Sequence, residues 1–290
     1  MLNFVKRNYD IEAHADRLLQ RSVSREVATR YLLVPYRATA TGLLEDEKSA
    51  LVMLATVHAA TVAQLGRYVF PAEADVAKRT RKASLCAKRL EQLHLIKREK
   101  RPLVMGYVLI PTEVGRWLSG VAADTRVALS PTAAPYGTAL RHRLAVTELF
   151  VRLADNARRG GVSPLRFQAY PDAWRKYHGL DREDVEDEIL VKPDAMFSVA
   201  RGGAEQPWLV AAYHNDEKGG RISTACANFY QYACFCQQRL DSRLPRILLL
   251  APTADEVARI QAVVGNRPER IRNLFTVATP ADAISLLGFT

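Results

Sequence analysis

The sequence predicts a chain of mixed class, α+β in its first half and α/β in its second. Three observations predict it. Between Glu45 and Leu118 apolar residues recur three times at helical spacing, then alternate through a short hairpin, then return to helical spacing. A stretch rich in Gly, Ala, Ser, Pro and Thr follows, VAADTRVALSPTAAPYGT. Beyond it, strand-like and helix-like segments alternate to the end, the pattern of a sheet covered by helices.

Residues 1–44 read as a helical extension, with short pieces over Ile11–Leu19 and Arg25–Leu33. Glu45-Asp46-Glu47 are acids suited to a helix N-terminus, and Lys48–Ala59 carries Leu51, Leu54, Ala55 and His58 at helical spacing. Ala60-Thr61 interrupts. Val62–Phe70 is a second helix, ended by Pro71, whose ring cannot continue it. Asp75 is placed to cap a third helix, Val76 to about Leu93. Leu95–Arg101 and Val104–Ile110 then form two strands around a basic turn, and Thr112 is suited to cap the next helix. Helix, helix, helix, hairpin, helix is the order of a winged helix-turn-helix, assigned to residues 45–120. Residues 121–138 read as a linker, and 139–290 as the α/β domain. That domain starts with an amphipathic helix, Leu140–Ala157. Strands follow at Arg166–Tyr170, Lys192–Val199, Trp208–Tyr213, Arg246–Ala251 and Leu274–Ala278, with helices at Ser223–Leu240, Asp255–Val264 and Pro280–Leu287.

The third helix carries the chemistry. At about 100° per residue, Ala83, Cys86, Ala87, Leu90 and Leu93 share one arc, while Lys78, Arg81, Lys82, Lys88 and Arg89 share the opposite one. Such a helix buries one side and offers the other to phosphates and base edges in a major groove ~12 Å wide. Lys78, Arg79, Arg81, Lys82 and Ser84 are the expected groove contacts, with Lys88 and Arg89 nearer the backbone. The hairpin adds Lys97, Arg98, Lys100 and Arg101, placed for an adjacent minor groove or phosphate. Residues 78–101 hold ten lysines and arginines against two acids, Glu91 and Glu99. A solvated basic face on a structural helix is the bland alternative.

Charge agrees with this placement. The 290-residue chain has a formal net charge of +10. Residues 1–130 hold 21 basic against 13 acidic side chains, and residues 131–290 hold 20 against 18. A local basic excess draws polyanions and speeds encounter with them. Cys86, Cys226, Cys234 and Cys236 include no C-x-x-C pair and no zinc-finger spacing, and read as reduced core thiols. No apolar run approaches the ~20 residues of a membrane helix, and the opening MLNFVKRNYD lacks the apolar stretch of a signal peptide. A cytoplasmic protein, associated with nucleoid or plasmid, is expected. Walker, G-x-G-x-x-G and G-x-S-x-G motifs are absent, so nucleotide hydrolysis and serine esterase chemistry have no support.

Several segments together resemble the replication-relaxation family of plasmid and mobile-element proteins. They are TVAQLGRYVF, LIPTEVGRWL, LRHRLAVTELFVRLADNA, KPDAMF, FYQYACF and PRILLLAPTADEVARI, in that order. The resemblance implies a winged helix followed by a domain related to the PD-(D/E)xK nucleases, and a role in replication, relaxation or transfer of DNA, or in its control. Nucleases of that fold hold Mg²⁺ on carboxylates, with a lysine orienting the attacking water. The corresponding residues here are Glu148, Asp194, Asp216 and Lys218. The expected strand pattern is broken, because Ala212 and His214 stand where an acid-x-acid pair is common, and Asp216 and Lys218 fall beyond the strand. The leading expectation is therefore a non-catalytic, sequence-specific binder of double-stranded DNA, homodimeric, with no cofactor and no membrane. The rivals are a Mg²⁺-dependent endonuclease or nickase using those four residues, and a protein-interaction module.

Weaker candidates have plainer readings. His142, between Arg141 and Arg143, reads as a solvated helix face. Asp181–Glu188, six acids in eight residues, reads as an exposed loop. Tyr230, Tyr232 and Phe235 read as core by their helical spacing.

Overall fold

The computed structural model describes residues 42–102, 104, 106–123, 137–161, 164–180, 186–201, 204–214, 219–239 and 243–287. The helices expected within residues 1–40, the greater part of the expected linker, and Asp216 and Lys218 lie outside them. Among the described residues the fold is mixed, with helices and three sheets, and the chain divides into two compact units. The first holds the elements up to Ala123, apart from residues 56–58; the second holds the rest.

The first unit runs α1 (Glu45–Val57), β1 (Ala60–Thr61), α2 (Val62–Val69), α3 (Val76–Gln92), β2 (Ile96–Lys100), β3 (Tyr107–Pro111) and α4 (Glu113–Ala123). Ala60-Thr61 is not the simple break between helices that its place in the sequence suggests. Instead it is a short strand paired antiparallel with β3, Ala60 opposite Leu109 and Thr61 opposite Val108. Thr61 also opens α2 through a reciprocal cap: its hydroxyl accepts the Gln64 N–H at 3.2 Å, and Gln64 Oε1 accepts the Thr61 N–H at 3.0 Å. Two otherwise orphaned amides are thereby satisfied. Asp75 caps α3 as expected, its Oδ1 accepting from Ala77 N at 2.8 Å and Lys78 N at 3.1 Å. Thr112 Oγ1 likewise accepts from Gly115 N at 3.0 Å at the head of α4. Met53, Leu54, Leu65, Ala83, Ala87, Leu90, Leu95 and Leu109 are fully buried in this unit.

The second unit runs α5 (Gly137–Arg158), β4 (Pro164–Ala169), β5 (Arg175–Leu180), β6 (Glu186–Val191), β7 (Ala195–Arg201), β8 (Ala204–Ala212), α6 (Gly219–Arg239), β9 (Arg246–Leu250), α7 (Ala254–Gly265), α8 (Glu269–Arg272), β10 (Phe275–Ala278) and α9 (Ala283–Leu286). Its main sheet has the order β10-β9-β8-β7-β4. The β8, β9 and β10 strands are parallel; β7 and β4 are antiparallel to their neighbours. Successive side chains of a strand face opposite ways, and β8 and β9 divide accordingly. Trp208, Val210, Ala212, Leu248 and Leu250 pack with Val146, Leu149 and Leu153 of α5. Leu209, Ala211, Ile247 and Leu249 pack with Ile222, Cys226, Phe229 and Cys236 of α6 and Ile260 and Val264 of α7. The result is helix, sheet, helix in three layers.

Three expectations need correcting. The acidic run is not all loop, because Glu186–Val191 pairs with β5 as a separate two-stranded sheet; residues 181–185 lie outside the described residues. Lys176 Nζ meets Glu188 Oε1 at 2.5 Å across it. The expected linker 121–138 is narrower, because α4 extends to Ala123 and α5 begins at Gly137. The last helix is a single turn, Ala283–Leu286.

Candidate nucleic-acid interface

Burial sorts α3 as the wheel does. Ala83, Cys86, Ala87 and Leu90 are buried, and Lys78, Arg81, Lys82 and Lys88 are exposed. Arg79 and Ser84 are half-buried at the edges of the exposed arc. A Cβ on Gly66 of α2 would stand 3.3 Å from Arg79 Cγ, so the absence of a side chain at Gly66 lets α2 and α3 approach closely.

The exposed arc is not uniformly available. Lys82 Nζ sits 2.8 Å from Glu73 Oε2, and this hydrogen bond holds the Glu73 carboxyl below its usual range. Arg79 Nη1 donates to Glu73 O at 3.3 Å. Arg89 Nε lies 3.0 Å from Glu47 Oε1 on α1, where Glu47 is buried. Arg89 therefore fastens α3 to α1. Lys78, Arg81 and Lys88 form no ion pair among the described residues and project from the outer side of the helix.

The hairpin divides in the same way. Lys97 and Lys100 are exposed. Arg98 Nε donates to Glu91 Oε2 at 2.6 Å, so it ties β2 back to the end of α3. Arg101 pairs with Glu99. The Tyr107 ring lies 5.1 Å from the Arg98 guanidinium and 5.9 Å from Lys100 Nζ, giving a cation–π cluster at the base of the turn. Of the eleven expected contacts, Lys78, Arg81, Lys88, Lys97 and Lys100 form the outward cationic set. Arg79, Lys82, Arg89, Arg98 and Arg101 are engaged by the unit's own acceptors, and Ser84 is half-buried.

The acids named for metal chemistry are held differently. Glu148 pairs with Arg152 one turn along α5, at 2.7 Å. Asp194 stands just before β7. Its Oδ2 accepts from Ala212 N at 2.8 Å, its backbone N–H donates to Val210 O at 2.8 Å, and its carbonyl accepts from Tyr170 N at 2.9 Å. Asp194 thus joins β8, β7 and the end of β4. His142, read from sequence as solvated, instead points inward: its Nδ1 is 3.5 Å from Asp194 Oδ1, and its ring stacks on His214 with centroids 5.4 Å apart. Among the described residues, no group of three His, Cys, Asp or Glu side chains is placed to hold a metal ion. Nor is any helix of the described residues long and apolar enough to cross a membrane.

The replication-relaxation family model matches residues 51–243, which include α3, the hairpin and Asp194. The chain belongs to the replication-relaxation family. No curated protein and no solved structure gives a significant match. Replication-relaxation membership covers both units and suggests a replication-related role on a plasmid or mobile element.

Proposed function

We propose that the chain is a sequence-specific binder of double-stranded DNA in which residues 45–123 act as a winged helix-turn-helix. It serves as a regulator or accessory factor for replication or transfer of a plasmid-like element in the cytoplasm. The observation that carries this reading is the row Lys78, Arg81 and Lys88 on the outer side of α3, continued by Lys97 and Lys100 on the hairpin. In the docked geometry α3 lies in the major groove and the hairpin reaches the neighbouring backbone. The second unit is a non-catalytic relative of the PD-(D/E)xK fold, in which Asp194 fastens strands together, and it supplies the dimer contact for reading a palindrome.

Duplex titration followed by fluorescence anisotropy, at several salt concentrations, tests the reading. Affinity should fall with salt with a log–log slope of ~0.9 per phosphate neutralised. Arg81→Glu combined with Lys82→Glu should abolish binding and leave thermal unfolding nearly unchanged. Persistent binding in that double variant refutes the interface; salt-insensitive binding of a protein partner instead of DNA favours the interaction-module reading.

A second reading rests on the position of Asp194 at the N-terminal end of β7, beside His142 and His214. A Mg²⁺-dependent nickase would use Asp194 with Glu148, Asp216 and Lys218. Nicking of supercoiled plasmid that needs Mg²⁺ and is lost in Asp194→Ala would establish it.

A further inference from the structure

The outer side of α3 carries one residue that charge alone does not explain. Leu85 is 59 % exposed. Its neighbours three and four positions away on the same face are Arg81, Lys82, Lys88 and Arg89, and Lys78 lies two turns back. A lone exposed leucine is ordinary on a protein surface. A leucine at the centre of a cationic arc is not, since the residues three and four positions away on either side are all lysine or arginine.

Two plain roles fail on this geometry. Leu85 does not belong to the core of its unit, whose α3 contribution is Ala83, Cys86, Ala87 and Leu90 on the other side. A second copy docking this face against itself would set lysine and arginine against lysine and arginine. The surface fits a partner that is anionic around its rim and presents an apolar spot at its centre. Duplex DNA has that form in the major groove, where phosphates flank the floor and the thymine C5-methyl is the apolar feature of the base edges.

We propose that Leu85 is a specificity-determining residue that packs on the C5-methyl of a thymine in the recognised site, while Lys78, Arg81 and Lys88 take the flanking phosphates and base edges. This rests on the DNA-binding reading above and adds a base identity to it. The cations set affinity for any duplex; Leu85 adds discrimination at one position.

The test uses the full chain and a duplex selected from random sequence. Anisotropy titrations compare the wild type and Leu85→Ala on the selected duplex, on versions with each thymine in turn replaced by uracil, and on a scrambled duplex. Uracil keeps the pairing and removes only the methyl. One replacement should weaken wild-type binding about fourfold, the worth of one buried methyl. In Leu85→Ala that same replacement should have no effect, while affinity for the scrambled duplex is unchanged. Leu85 is exposed and alanine favours helix, so the variant should fold, which thermal unfolding checks. Wild-type binding that ignores every uracil, or a uracil effect that persists in Leu85→Ala, overturns the proposal and leaves DNA binding standing. Failure of the wild type to bind any duplex overturns both, and an acidic protein bound through Leu85 would then be its replacement.

Discussion

Arg89 Nε lies 3.0 Å from Glu47 Oε1, with the carboxylate side chain 3 % exposed and the guanidinium side chain 43 % exposed. Removing the arginine leaves a buried carboxylate without its cation. Arg89→Ala is expected to lower unfolding free energy by roughly 1–3 kcal/mol, measured by urea denaturation. Lys88→Ala, one residue away and exposed, should stay within about 0.5 kcal/mol. The order should reverse in duplex binding: Lys88→Ala should reduce the salt slope by about 1, and any effect of Arg89→Ala should track its loss of stability.

Glu73 competes for Lys82. The side-chain hydrogen bond from Lys82 lowers the Glu73 pKa from its ordinary 4.5. A carboxyl lowered in the folded state stabilises it above the unfolded value, and that contribution is lost as pH falls through the folded value. Glu73→Gln should free Lys82 and remove a negative charge beside the interface. Duplex affinity at low salt should rise by about two- to fivefold, the range of an exposed charge pair, and the gain should shrink at high salt. Unchanged or weaker binding would place Lys82 outside the interface.

The thiols give a check on the packing. Burial pushes the Cys86 thiol up to about 12 and Cys226 up to about 11, and raises Cys236 as well. A thiol raised in the folded state stays neutral there, so its contribution to stability is intact below the ordinary 9.0 and is lost as pH climbs toward those values. Native protein at pH 8 with a chromogenic thiol reagent should show one fast thiol, the half-buried Cys234, and release the other three only on unfolding. Rapid reaction at Cys86 would mean that α3 does not seat as described.

Gly115 has no room for a methyl group. A Cβ there would overlap the Leu95 carbonyl oxygen and stand 3.0 Å from its carbon, and that oxygen already accepts from Thr112 N at 2.9 Å. The Gly115→Ala variant should destabilise by about 1–3 kcal/mol or more by overpacking. Gly220→Ala, where nothing among the described residues stands within 4 Å of the new Cβ, should be neutral or slightly stabilising. Thermal melts of the two variants compare them directly.

The layered second unit was legible because its strands are short apolar runs and its helices strongly periodic. The amphipathic α3 and its Asp75 cap were legible for the same local reasons. What escaped were features fixed by partners distant in sequence or disguised by composition. The β1 strand is two residues long and exists only through β3. The β6 strand is hidden by acids that β5 answers with Lys176 across the sheet. Arg89 looked like its neighbour Lys88 because Glu47 lies 42 positions away. His142 looked solvated beside two arginines, but its partners are Asp194 and His214 on other elements. The spacing of Leu85 to four cations was present in the sequence, but its exposure depends on which side of α3 the rest of the unit covers.

The strand order of the second unit also sets a timetable for synthesis. While the ribosome is still making residues up to 245, β8 already has β7 on one side but lacks β9 on the other. Until β9 emerges, the apolar Trp208–Ala212 run of β8 offers its open edge to any neighbouring chain, an invitation to aggregate. The elements up to Ala123 need nothing from that later stretch to complete their own sheet. Nascent chains would therefore possess their cationic helix well before the main sheet closes, and stalled or truncated products would carry an unfinished sheet at one end and a completed basic unit at the other.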